Sequence, residues 1–230
     1  MIKHCIVNTN DRDITSKLTQ LGFVCHGVIP SNRVSEPISC HSDVLYLKVS
    51  DNKDIVISGC QKENIPLLEQ SGYRVTVIEN LRAGYESESL LNYIINKKYV
   101  IYNPKTAMLF DEQVCGLHKI TIKQGYTKCS VICVNETAYI TQDVGVYNAI
   151  KKNKLNCLLM KSGNIKLDGY NYGFMGGSAI RLNKNQLLFC GDIADTQEKN
   201  KLIEFLKDCE VEAIFIKDKQ LTDIGSALIL

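Results

Sequence analysis

One pattern, strand–strand–helix–strand, recurs along this chain, and it limits the fold more than any single motif does. In its second copy, Leu45-Tyr46-Leu47-Lys48-Val49 and Ile55-Val56-Ile57 are short apolar runs split by Ser50-Asp51-Asn52-Lys53, the signature of a hairpin. A helical stretch over 63–70 stops at Gly72, and residues 74–78 form a strand rich in β-branched side chains. The third copy has strands over 93–95, 99–102 and 119–122, with Pro104 suited to a helix start. The fourth has strands over 130–134, 138–141 and 157–160, and Asp143 is placed to cap a helix reaching Lys151. The fifth has strands over 179–182, 187–190 and 213–216, with Asp195 capping a helix over 196–207 that clusters Leu202, Ile203, Phe205 and Leu206 for burial. The first copy has only its second strand (2–7), helix (14–21) and third strand (23–28); its first strand is expected from the other end of the chain, over 226–230. Pairing those two ends completes the unit and removes exposed strand edges. The expected class is α/β, a five-bladed propeller of ββαβ units closed by pairing of the C-terminal and N-terminal strands. Turn anchors Asn52, Asn96, Asn135 and Asn185 repeat at roughly 40–50 residues, as in a repeat array.

A ring of this kind makes residues 1–230 one domain, long enough to bury a substantial core. The net charge is +2 without a concentrated basic run, so nucleic acid is not an expected partner. Lys97-Lys98 and Lys151-Lys152 are solvated turn charges. No apolar stretch is long enough for a bilayer, and residues 1–5 lack a secretory core, so membrane association is not expected and the location is read as cytoplasmic. The ten cysteines do not follow a disulfide scaffold, and Cys5, Cys25, Cys133, Cys157 and Cys190 sit in apolar strands as small hydrophobes. His4-Cys5, Cys25-His26 and Cys40-His41 are adjacent pairs, and neighbours on a strand face opposite ways, so no metal site or cofactor is expected.

Residues entering the first strand of each unit converge on the axis of such a ring, where a small molecule has a central polar cavity to occupy. His41-x-Asp43 places an imidazole and a carboxylate on one face of an extended segment, a pairing suited to proton transfer and to holding a cation. Cys129, after Gly125 and beside Lys128, is a candidate nucleophile if a neighbouring His or Lys lowers its pKa. Glu86, Glu88 and Asn92 enter unit three, residues 174–178 enter unit five, and Asp223 precedes the closing strand. Each has a plainer alternative: a solvated His-x-Asp pair, one more strand thiol, an acidic surface loop, a loop cap at Asp223. Gly173 to Gly177 also reads as a tight turn needing positive φ, and it is not a P-loop.

The order of units, together with His41-Ser42-Asp43-Val44-Leu45-Tyr46-Leu47-Lys48-Val49 and Gly173-Phe174-Met175-Gly176-Gly177-Ser178, resembles the pentein or guanidine-modifying-enzyme superfamily. Its members include arginine and agmatine deiminases, amidinotransferases and dimethylarginine hydrolases. The segments 123–130, 172–177, Cys190-Gly191-Asp192-Ile193 and 221–226 are similar to an uncharacterised, mostly clostridial group of that fold. The resemblance implies a hydrolase or deiminase of a small guanidine or amidine. In it His41 is the acid/base and Asp43 holds the cation; the cavity positions add Cys129 as nucleophile, one unit beyond the family's Cys slot, which here holds Leu91 or Asn92, and add Glu88, Asn92, Asp223 and Ser178 as substrate-binding residues. It equally implies an alternative, because the fold is also that of a non-catalytic ribosome anti-association factor: a binding protein for a small cation or a macromolecular partner. The sequence leaves oligomeric state open.

Overall fold

The computed structural model describes residues 2–49, 53–79, 83–110 and 114–230. Ser50, Asp51 and Asn52, where the hairpin turn of unit two is expected, lie outside the described residues, as does the side chain of Glu86. Among the described residues, fifteen strands make five three-stranded sheets. The first sheet holds β1 (Lys3–Val7), β2 (Phe23–Gly27) and, from the other end of the chain, β15 (Ala227–Ile229). The second holds β3 (Tyr46–Lys48), β4 (Asp54–Ser58) and β5 (Arg74–Ile78); the third β6 (Ile94–Ile95), β7 (Tyr99–Tyr102) and β8 (His118–Thr121). The fourth holds β9 (Val131–Cys133), β10 (Ala138–Thr141) and β11 (Asn156–Leu159); the fifth β12 (Ala179–Asn183), β13 (Gln186–Phe189) and β14 (Glu212–Phe215). In every sheet the middle strand is antiparallel to one neighbour and parallel to the other. The expected pairing of the two chain ends is present, antiparallel, with Cys5 opposite Ile229 and Val7 opposite Ala227.

Local chemistry explains these elements. A parallel pair needs a crossover, and three crossovers are helices opened by aspartates. Asp11 accepts from Ile14 N ahead of Arg12–Gln20, Asp143 from Val146 N ahead of Val144–Lys152, and Asp195 from Gln197 N and Glu198 N ahead of Thr196–Asp208. Hairpin turns are closed by asparagine side chains that accept from backbone N–H groups two or three residues on. Asn96 holds Lys98 and Tyr99, and Asn135 holds Thr137 and Ala138. In unit five the anchor is Asn183, not Asn185: the side chain must precede the N–H it binds, and Asn183 accepts from Asn185 N at 2.9 Å.

Packing follows the two-residue period of the strands. Tyr46 and Ile57 pack with Ile6 and Leu228 of the first sheet, whereas their neighbours Leu47 and Val56 pack with Tyr93 and Val100 of the third. Ile94 and Ile101 meet Val131 and Tyr139; Ile132 and Ile140 meet Leu187 and Phe189; Ile180 and Leu188 meet Cys5 and Val7. Each sheet is thus apolar on both faces, which is why its strands read as unbroken apolar runs. The same alternation separates His4, against His26 on one face of β1–β2, from Cys5, against Cys25 on the other.

Two expectations about local structure are corrected. Residues 104–106 after Pro104 form a turn, not the start of a helix. The entries to the first strands are not extended: short helices at Ser42–Leu45, Tyr85–Ser89 and Thr127–Ser130 precede β3, β6 and β9, and a turn at 175–178 precedes β12. Polar side chains at these entries make tertiary bonds that local patterning does not encode. Ser42 Oγ and Asp43 N, for example, both donate to Gly225 O, at 2.9 and 3.0 Å.

Candidate active site

His41 is extended and directly precedes the Ser42–Leu45 helix, so His41 and Asp43 do not share a strand face as expected. The helical turn carries Asp43 beneath the imidazole instead. His41 Nδ1 lies 3.9 Å from Asp43 Oδ1 and 3.7 Å from Asp223 Oδ1, contacts that are electrostatic and too long for hydrogen bonds. Asp223 is held by its own loop: Oδ2 accepts from Phe174 N at 2.8 Å and Oδ1 from Gly225 N at 3.0 Å. Both Asp43 oxygens are buried without a hydrogen-bond partner.

Cys129 stands in the Thr127–Ser130 helix, and Asn92 fixes it there. Asn92 Oδ1 accepts from Lys128 N (2.7 Å) and Cys129 N (3.1 Å), and its Nδ2 donates to Cys129 Sγ at 2.8 Å. Lys128 turns the other way, donating through Nζ to Tyr46 O at 2.7 Å and Asp43 O at 3.4 Å. A turn is present at 175–178, but the glycines at residues 173–177 make it without the positive φ expected there. They permit close approach: a Cβ on Gly177 would meet Asp223 Oδ1 at 2.0 Å. Gly225 does combine both constraints, with φ +72° and a virtual Cβ 2.3 Å from the His41 Cβ.

His41, Cys129 and Asp223 line one cavity of about 250 Å³. Tyr126, Tyr170, Tyr172 and Phe174 form its aromatic wall, with Tyr126 and Phe174 ring centres 5.9 Å apart and Tyr172 edge-on to Phe174 at 6.5 Å. Among the described residues, no lysine or arginine lines it. Other expected residues lie elsewhere: Asp43, close as it is to His41, is not among the residues lining this cavity. Glu88 is spent on structure, accepting from Ser35 N (2.7 Å), Ser35 Oγ (2.6 Å) and the Tyr126 hydroxyl. Ser178 is fully buried and donates to Met175 O at 2.8 Å. Asn92 holds the thiol and does not line the cavity. Of the aromatic wall only Phe174 was among the expected cavity residues, although Tyr170, Tyr172 and Phe174 alternate in a way that places them together on one side of an extended segment.

Burial governs the charges. It pushes the Asp43 carboxyl up, opposed by His41 and Lys128 and reinforced by Asp223. It raises Asp223 to about 6 against two backbone donors. It lowers His41, with Asp43 opposing, which favours neutral imidazole. The Cys129 thiol is raised well above its ordinary value by burial and by Asp43 and Asp223, with the Asn92 hydrogen bond opposing. The expected lowering by a neighbouring cation is therefore not found, because burial, reinforced by two carboxylates, dominates the thiol. Glu88 is lowered: burial pushes it up, but Ser35 and Tyr126 donate strongly enough to reverse the effect.

A family described as "Family of unknown function (DUF6873)" matches residues 6–228. The chain belongs to that family. No curated protein matches its sequence. Among solved structures, the crystal structure of the dimethylarginine dimethylaminohydrolase adduct with 4-chloro-2-hydroxymethylpyridine is similar to it with a TM-score of 0.54 and 12% identity, covering 100% of both chains. That likeness is one of fold. With its five sheets of a single topology, the DUF6873 chain has a pentein-like α/β architecture. Among the described residues, no helix is long and apolar enough to cross a membrane.

Proposed function

We propose that this protein is a thiol-dependent hydrolase of small guanidine or amidine cations, working inside a closed ring of five units that spans residues 1–230. The ring is supported by five core clusters that each join consecutive sheets, the last joining the fifth sheet to the first. The observation that carries the chemistry is that His41, Cys129 and Asp223 face a single cavity.

In the resting state the thiol and imidazole are both neutral. A planar cation entering along the aromatic wall gains cation–π contacts and brings positive charge to Asp223 and Asp43. That charge offsets the two carboxylates that hold the thiol protonated. Cys129 then passes its proton to His41 and attacks the central carbon of the substrate. A C–S bond forms, the C–N bond to the leaving amine breaks, and His41 returns the proton to that nitrogen. Water next attacks the amidino-thioether with His41 as base, breaking the C–S bond. The products are an amine and a urea or amide, with the thiol restored. Asn92 keeps Sγ aimed through its 2.8 Å bond. Tyr126, fixed by Glu88, keeps the wall in place.

One observation favours the same site as a non-catalytic cation receptor: Asp223, a buried carboxylate, faces the aromatic-walled cavity that a cation would enter. Incubation with arginine, agmatine, alkylguanidines and acetamidine, with assay of released ammonia, amine and urea, separates the two. Turnover of at least one compound is expected, falling by about 10³-fold or more in Cys129→Ser. Thermal stabilisation by these cations without product supports the receptor. Turnover that survives Cys129→Ser removes the thiol mechanism.

A further inference from the structure

A second cavity, of about 320 Å³, shares no lining residue with the one holding His41 and Cys129. The first strand of every sheet contributes to it: β3, β6, β9, β12 and β15. Lys48, Cys133, Arg181 and Ile229 hold the third position of β3, β9, β12 and β15, so equivalent positions of the repeat meet around one space. Two of these are cations, and Lys128 adds a third from the turn before β9.

The hydrogen bonds of these cations go to neutral carbonyls. Lys48 Nζ donates to Ile229 O, Arg181 Nη1 to Cys133 O at 2.8 Å, and Lys128 Nζ to Tyr46 O at 2.7 Å. Among the described residues, no carboxylate forms an ion pair with any of them. Among the described residues, Asp43 is the one carboxylate in the lining, and Lys128 answers its charge. Tyr93 also lines the cavity; it is fully buried, and its hydroxyl has no hydrogen-bond partner. A buried hydroxyl in that state is costly, and an acceptor brought within its reach would offset the cost. A guanidinium retains several unused donors in a fixed fork that matches the paired oxygens of a carboxylate or phosphate.

We propose that this cavity binds a small oxyanion, a carboxylate or a phosphate monoester, through Lys48, Arg181 and the Tyr93 hydroxyl. The site requires neither Cys129 nor His41, so it stands whether or not the thiol chemistry does. To test it, the full chain is titrated with sodium phosphate and, separately, sodium acetate at ionic strength matched with chloride. Binding is followed by thermal shift and by isothermal calorimetry. At least one anion should raise Tm, by roughly 5 °C at a hundredfold excess over Kd and further with the logarithm of its concentration. Phosphate alone would assign a phosphate monoester, and acetate alone a carboxylate. Arg181→Gln and Lys48→Gln should each weaken calorimetric binding at least about tenfold and Tyr93→Phe several-fold, roughly the scale of a lost charged or neutral hydrogen bond, while Cys129→Ala binds as the parent does. Calorimetry reports on the folded protein, so a variant of lower Tm still gives an answer. Absence of saturable binding by either anion over chloride, or unchanged binding in both Arg181→Gln and Lys48→Gln, overturns the proposal.

Discussion

Asp223 has its pKa raised by burial to about 6, despite donation from Phe174 N and Gly225 N. A carboxyl raised on folding binds its proton more firmly in the native state. Its contribution is fully present below the unfolded value near 4 and is lost as pH rises through about 6, a change on the order of 3 kcal/mol at about 1.4 kcal/mol per unit. Glu88, which is lowered, acts with the opposite sign, so the two must be separated. Urea unfolding of the parent and of Asp223→Asn between pH 4 and 6 does this: the stability difference, parent minus variant, should fall as pH rises. A flat difference removes this account of Asp223. At this scale the sequence was partly legible. His41, Cys129 and Asp223 were found because each stands just before a first strand. Glu88 and Ser178 occupy similar positions, but their polar atoms are consumed by Ser35, Tyr126 and Met175, partners that no local spacing reveals.

The helix Thr196–Asp208 shows how much an element owes to its first residue. Asp195 accepts from two otherwise unpaired N–H groups, at 3.0 and 3.1 Å, while Leu202 and Leu206 are fully buried below. Its exposed ion pair with Lys161 adds little. Asp195→Ala should therefore cost about 1 kcal/mol, a fall in Tm of roughly 2–4 °C. Asp195→Asn should keep most of the stability, because an amide oxygen still accepts. An equal loss in both variants would shift the weight from the cap to the charge. The caps at Asp143 and Asp195 were legible because capping depends on a residue and the few that follow it. The helical turns before β3 and β9 were not. They are four residues long, below the length at which helical periodicity can be read, and are held by Gly225 and Asn92 from distant parts of the chain.

At the scale of the molecule, the two chain ends are joined by the pairing of β15 with β1. A permutant that links residue 230 to residue 1 by a short flexible segment and opens the exposed turn at Lys184 should retain the fold, because neither change disturbs a buried contact. Circular dichroism and a Tm within about 10 °C of the parent would show this, given that relieving or adding a loop constraint is worth only a few kcal/mol. Collapse of the permutant, with loss of cooperative unfolding, would argue that the terminal strands are not a structural seam equivalent to the others.

The sequence by itself determined the repeat: apolar runs, asparagine turns and aspartate caps are local signals, and their recurrence in most of the units specifies similar sheets. Tertiary structure alone decided which polar groups remain available. Cys129 meets Asn92 from another unit, Asp43 is left without a hydrogen-bond partner, and Lys48 and Arg181 come to line one cavity. Those outcomes depend on desolvation and on contacts between residues far apart in the chain, which local spacing does not contain.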